Sequence, residues 1–161
     1  MVQHGERPAR EAVSEEVRAV PNYQKILVGT DGSACSLRAG EHAVYLAGRL
    51  GAELIALNVV NIDGAYHAGV HYGEAVTELE KNGQAATEAI EELASNGGIR
   101  CERRVMKSYK PHQAIVEVAE REGVDCIVVG SIGMSAFERV MLGSESGKVV
   151  KFAKCPVLLV R

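Results

Sequence analysis

Two short runs, residues 125–130 and 155–160, are apolar almost without interruption, and this narrows the folds open to the chain more than any other feature. A strand with one face in water alternates polar and apolar side chains. A strand that does not alternate is covered on both faces, as in a parallel sheet between two layers of helix. The remaining segments supply those layers: strand-like stretches at 25–30, 53–60 and 99–107 alternate with amphipathic ones. The pattern predicts an α/β fold, a single open sheet with right-handed crossovers and helices on both faces.

In the segment 33–50, Leu37, Gly40, Val44, Ala47 and Leu50 recur at helical spacing behind Ser33, a suitable N-cap. A longer helix is expected over 74–96, where Val76, Leu79, Gly83, Ala86, Ile90 and Leu93 are spaced by threes and fours before Gly97-Gly98 stops it. Pro111 opens a third helix that Gly123 closes, and 142–153 forms the last, with Val149, Val150 and Phe152 available for packing. The polar, glycine-containing stretch 61–73 is expected to be a loop. Segment 99–107 mixes apolar and charged residues, as a half-exposed edge strand does, and Pro156 places the last strand's start or an edge there because it has no N–H to give a ladder.

A chain of 161 residues, 47% hydrophobic and 24% charged, suits one domain with a sizeable core. That domain is expected over 22–161, with 1–21 a polar, charge-mixed extension expected to be flexible. A net charge of −3 without a basic cluster gives no attraction for nucleic acid or anionic lipid. No apolar run reaches membrane-spanning length, and Glu6, Arg7, Arg10, Glu11, Glu15 and Glu16 stand where a signal peptide is apolar, so the cytoplasm is the expected compartment. Cys35, Cys101, Cys126 and Cys155 form no CxxC pair and read as reduced thiols, the last two in apolar strands. His67 and His71, with Glu74 beyond, have metal-ligand spacing only on a helix, and Gly64, Gly69 and Gly73 argue for a loop instead, so no metal site is assigned. His42 and His112 read as exposed helix residues. No serine or cysteine sits in a nucleophile elbow, and no catalytic residue is assigned.

The chemistry concentrates in Val128-Val129-Gly130-Ser131-Ile132-Gly133, followed after nine residues by Gly143-Ser144-Glu145-Ser146. A buried strand ending at glycines, and then a Gly-Ser pair at a helix start, set backbone N–H groups beside a positive helix end, which suits an anion such as phosphate. Glycine at these positions lets the backbone take positive φ and lets a ligand approach closely. Gly143 to Lys148 is not a Walker loop, since three rather than four residues separate Gly143 from Gly147 and Val149 replaces the Ser or Thr that holds magnesium. The first turn, Gly29-Thr30-Asp31-Gly32-Ser33, is not a dinucleotide fingerprint.

The spacing Gly130-x2-Gly133-x9-Gly143-Ser144 resembles the nucleotide-binding signature of the universal stress protein family, in its ATP-binding subgroup. Lys25-Ile-Leu-Val-Gly-Thr-Asp-Gly-Ser33 resembles that family's first strand and turn, and Cys155-Pro-Val-Leu-Leu-Val160 its last strand. The resemblance implies a Rossmann-like sheet of five parallel strands in the order 3-2-1-4-5, like that of the adenine nucleotide alpha hydrolases. It implies that Gly29, Thr30 and Asp31 lie by the adenosine, that the Val59 backbone reads the adenine edge, and that Val129, Gly130, Gly133, Gly143, Ser144, Glu145 and Ser146 hold ribose and phosphates. It further implies a homodimer paired through Val157, Leu158, Leu159 and Val160. The implied function is that of a stress-response regulator: ATP with magnesium, or AMP or cyclic AMP, sets a state that a protein partner senses.

Each residue also has a plainer role: Asp31 as a turn residue, Val59 as core, Ser144 as an N-cap. Two positions depart from the family pattern. Glu145 stands where ATP-binding members carry a small or apolar residue, and its carboxylate is drawn to the same helix end as phosphate, which favours AMP or a cyclic nucleotide over ATP. Tyr109-Lys110-Pro111 stands where a glycine usually precedes the helix, and Lys110 reads as a solvated lysine. Two further readings stay open. One is a slow ATPase, for which only Asp31 with Arg139 or Lys148 offers charged groups; the other is a dimeric interaction module without nucleotide.

Overall fold

The computed structural model describes residues 21–67, 69–132 and 143–161. Along the chain these form β1 (Lys25–Gly29), α1 (Ala34–Leu50), β2 (Glu53–Asn61), α2 (Ile62–Tyr66), a 3-10 turn (Gly69–His71), α3 (Tyr72–Asn96), β3 (Cys101–Ser108), α4 (Pro111–Glu122), β4 (Cys126–Gly130), α5 (Ser144–Phe152) and β5 (Val157–Val160). The five strands make one sheet in the order β3-β2-β1-β4-β5, and every neighbouring pair is parallel.

The two-residue period of each strand sends alternate side chains to opposite layers. Ile26, Val28, Leu54, Ala56, Cys126 and Val128 face Ala39, Ala43 and Ala47 of α1 and Ile90 and Ala94 of α3. Leu27, Ile55, Leu57, Ile127 and Val129 face Val118 and Ala119 of α4 and Val149 of α5. The small residues of α1 allow close packing: a Cβ at Gly40 would overlap the Cδ1 of Ile90. Ser33 caps α1 by accepting the Ser36 N–H, and glycines in the left-handed region end α1 and α4, Gly51 at φ 68° and Gly123 at φ 64°.

The stretch expected to be a loop is partly helical. Asn61 ends β2 and caps α2, its side-chain oxygen accepting from the N–H groups of Asp63 and Gly64. A side chain that satisfies two first-turn donors makes a short helix possible despite Gly64 within it. None of the residues of β3 is fully buried, in keeping with its edge position, and its charged side chains pair with neighbouring helices: Arg103 with Glu91 at 2.9 Å, Lys107 with Glu80 at 2.9 Å and Arg104 with Glu122 at 2.8 Å. β5 begins just after Pro156 and is also an edge. Cys155 stands ahead of β5 rather than in it, because Pro156 interrupts the ladder; all four cysteines are free, and burial pushes the Cys101 thiol up to about 11. Among the described residues, no helix is long and apolar enough to cross a membrane.

Candidate functional site

β1 and β4 are neighbours, with Gly29 opposite Val129, so the turns that follow them leave the sheet side by side at its carboxyl end. Thr30 is buried and held through its backbone and side chain. Its N–H donates to the Leu57 carbonyl at 2.9 Å, its carbonyl accepts from Asn58 Nδ2 at 2.8 Å, and its hydroxyl lies 3.1 Å from that of Ser36. Asp31 is exposed, and its carboxylate accepts the Ser33 N–H at 3.0 Å, a local turn that orients the group. β1 pairs with β2 only as far as Leu57. By the strand's alternation the N–H and C=O of Val59 point to the same side as those of Leu57, beyond the end of β1, while its side chain packs on the α4–α5 layer.

The turn after β4 is tied down at Ser131. Its N–H donates to the Val160 carbonyl at 2.6 Å, and its own carbonyl accepts from the Gly143 N–H at 2.7 Å and from the Ser146 hydroxyl at 3.4 Å. The Ser146 hydroxyl also reaches the Gly143 carbonyl at 3.2 Å, so it is turned toward the backbone of the loop. The Cys35 thiol donates to the Val160 carbonyl at 3.3 Å and seats the first turn of α1 on the same turn. Burial alone would raise that thiol's pKa, but hydrogen bonds from the Ile132 and Ser131 region outweigh it and hold it below its ordinary value.

Gly130 and Gly143 are favoured by space rather than by positive φ. A Cβ on Gly130 would come within 3.0 Å of the Cys35 carbonyl carbon and 3.1 Å of the Ser36 nitrogen, and one on Gly143 within 3.0 Å of the Ser146 hydroxyl and 3.1 Å of the Ser131 carbonyl oxygen. Gly143 itself has φ −55°, and Gly130 is not among the positive-φ glycines. The backbone of α1 therefore takes the room that the sequence pattern assigned to conformational freedom. Gly143 caps α5 without a side-chain bond, and the N–H groups of Ser144, Glu145 and Ser146 belong to the first turn, with no carbonyl four residues back inside the helix. Ser144 is exposed beside them. Gly133 and Arg139, and the expected start of the last helix at 142, lie outside the described residues.

Glu145 engages its carboxylate with the start of α4 and with Lys148. Oε2 accepts the His112 N–H at 2.9 Å and lies 2.8 Å from His112 Nδ1, and Oε1 accepts from Lys148 Nζ at 3.1 Å. Burial alone would raise the carboxyl's pKa, but these hydrogen bonds outweigh it and hold the group below the usual carboxylate range. His112 is thus not an exposed helix residue: its side chain is only 15% exposed, because Glu145 and the Phe152 ring cover it, whereas His42 is exposed. Lys110 is exposed. His71 meets Glu74 at 3.3 Å on the surface, and among the described residues no group of three or more His, Cys, Asp or Glu is gathered to hold a metal ion.

The sequence model of the Universal stress protein family matches residues 22–161, the whole sheet and every motif described above. The chain belongs to the universal stress protein family. It is 36% identical over 141 residues to universal stress protein MJ0531 of Methanocaldococcus jannaschii, covering 86% of this chain and 82% of that one. Its fold is similar to that of universal stress protein UspA from Lactobacillus plantarum, with a TM-score of 0.75, 29% identity and coverage of 88% and 100% of the two chains. It also resembles a universal stress protein crystallised in complex with cAMP, with a TM-score of 0.61, 29% identity and coverage of 88% and 98%.

Three residues of this universal stress protein's site had no assigned role in the sequence pattern. Asn58 is an amide inside an apolar strand, and that oddity is a usable signal; its Oδ1 is buried without a hydrogen-bond partner among the described residues, against Gly83, where a Cβ would overlap it. Ser131 was visible only as a residue between glycines, and His112 gave no signal, because its partner Glu145 is 33 residues away.

Proposed function

We propose that the protein binds an adenine nucleotide across the carboxyl ends of β1, β2 and β4 and works as a homodimeric, nucleotide-dependent regulatory switch. One observation carries this reading: the first-turn amides of α5, without a side-chain cap, are fastened through Ser131 to a turn that lies beside Thr30 and Asp31. Fixed N–H groups at a positive helix end suit phosphates, the exposed Asp31 carboxylate suits ribose hydroxyls, and the strand edge at Val59 suits the adenine ring. The donor set is one of amides and hydroxyls, so magnesium is proposed to arrive on the phosphates of ATP rather than in a protein cage. The relative complexed with cAMP supports the adenine class.

Calorimetric titration with Mg-ATP, AMP and cyclic AMP tests the reading. Substitution of Gly143 is a poor control, since any Cβ there meets Ser146 and Ser131 and disturbs the loop itself. Ser144→Glu is a better one: the exposed carboxylate favours the helix dipole yet repels a bound phosphate. ATP is expected to bind the wild type and to lose about tenfold in affinity in S144E, with no loss of thermal stability. Absence of heat with all three nucleotides would leave the dimeric interaction module as the function.

A further inference from the structure

Glu145 poses a question that the structure answers: how a carboxylate is accommodated in the first turn of a helix offered to an anion. Its side chain crosses to α4, where Oε2 takes both the backbone N–H of His112 and a contact with His112 Nδ1. α4 has use for this acceptor, because its N-cap, Lys110, contributes no side-chain bond and Pro111 occupies the first position. The His112 ring is held in turn by Phe152, with ring centroids 6.1 Å apart and 29° between the planes. One imidazole is therefore gripped by the first turn of α5 and by its last residue.

We propose that His112 is a positioning residue for the nucleotide's phosphates: it keeps the Glu145 carboxylate on α4, so that the α5 amides meet the ligand without an anion among them. The inference rests on the nucleotide reading and deepens it, naming the pair that sets how many phosphates the site accepts. A released carboxylate is drawn to the same positive helix end as the ligand, and it competes hardest with the ligand that carries the most phosphate charge. Lys148, on the other oxygen, lies on α5 itself and cannot tether the group to α4.

Calorimetry with ATP and AMP on the wild type, His112→Ala and the double variant H112A/E145Q tests this. The ratio of ATP affinity to AMP affinity is expected to fall by up to about fivefold in H112A, which loses the ring contact with Oε2 but keeps the backbone N–H of residue 112, so that the carboxylate is held on α4 by one donor instead of two. Removing that charge in the double variant is expected to restore the ratio. Glu145→Asp keeps the charge and shortens its reach to α4, so it is expected to lower the ratio with His112 still in place. If ATP and AMP weaken by the same factor, His112 serves only the fold; the proposal then fails and the nucleotide reading stands. If the wild type binds neither nucleotide, both fail. In the nucleotide-free protein, the imidazole 15N resonances of His112 are expected to move in E145Q, and unmoved resonances would overturn the pairing.

Discussion

Thr30 leaves β1 with its amide, carbonyl and hydroxyl all engaged, and the bond from the Asn58 amide is the one that spans two strands through a side chain. In Asn58→Ala the buried Thr30 carbonyl loses its donor, and an unmade buried hydrogen bond costs about 1–3 kcal/mol. Urea unfolding is expected to show a loss of about 2 kcal/mol, and a loss below about 0.5 kcal/mol would mean that water replaces the amide. The partner of Asn58 is 28 residues away, which is why an amide in an apolar run signals something but not what. Gly130 is similar: the sequence marks a glycine, and only the contact with α1 explains why a Cβ there would press on the backbone of Cys35 and Ser36.

The tie between α4 and α5 belongs to the scale of elements, and it makes a prediction about acid. The Glu145 carboxyl is held below its ordinary value in the folded protein, so its contribution to stability is complete above the unfolded value of about 4.3 and is lost as pH falls through the folded one. The difference in urea midpoint between wild type and Glu145→Gln is expected to close as pH drops below about 4.3. A difference unchanged down to pH 3 would show that Glu145 is not titrating in its contact with α4. Glu102 and Glu122, also held low by their hydrogen bonds to Arg104, keep part of the acid sensitivity in that variant. Helix lengths and caps at this scale were legible in local spacing, as at Ser33, Pro111 and Gly123, while α2 was not, since three glycines hid the cap that Asn61 supplies.

At the scale of the whole molecule, no strand among the described residues pairs with the outer edge of β5, and Leu158 on it is 36% exposed. An unpaired parallel edge with apolar side chains is a template for pairing with another chain, and the proposed homodimer uses it. Sedimentation equilibrium at micromolar concentration is expected to give a dimer, and Leu158→Arg a monomer with its fold intact; a monomeric wild type would end the proposal. The five elements of strand, the layers that cover them and the half-exposed character of β3 follow from the sequence by itself, because burial on both faces, helical spacing and capping are properties of neighbouring residues. The tertiary structure alone decided which distant groups share a hydrogen bond, Asn58 with Thr30 and Glu145 with His112, and which backbone crowds a Cβ at Gly130. Those outcomes depend on how the layers seat against one another, and no local pattern encodes that distance.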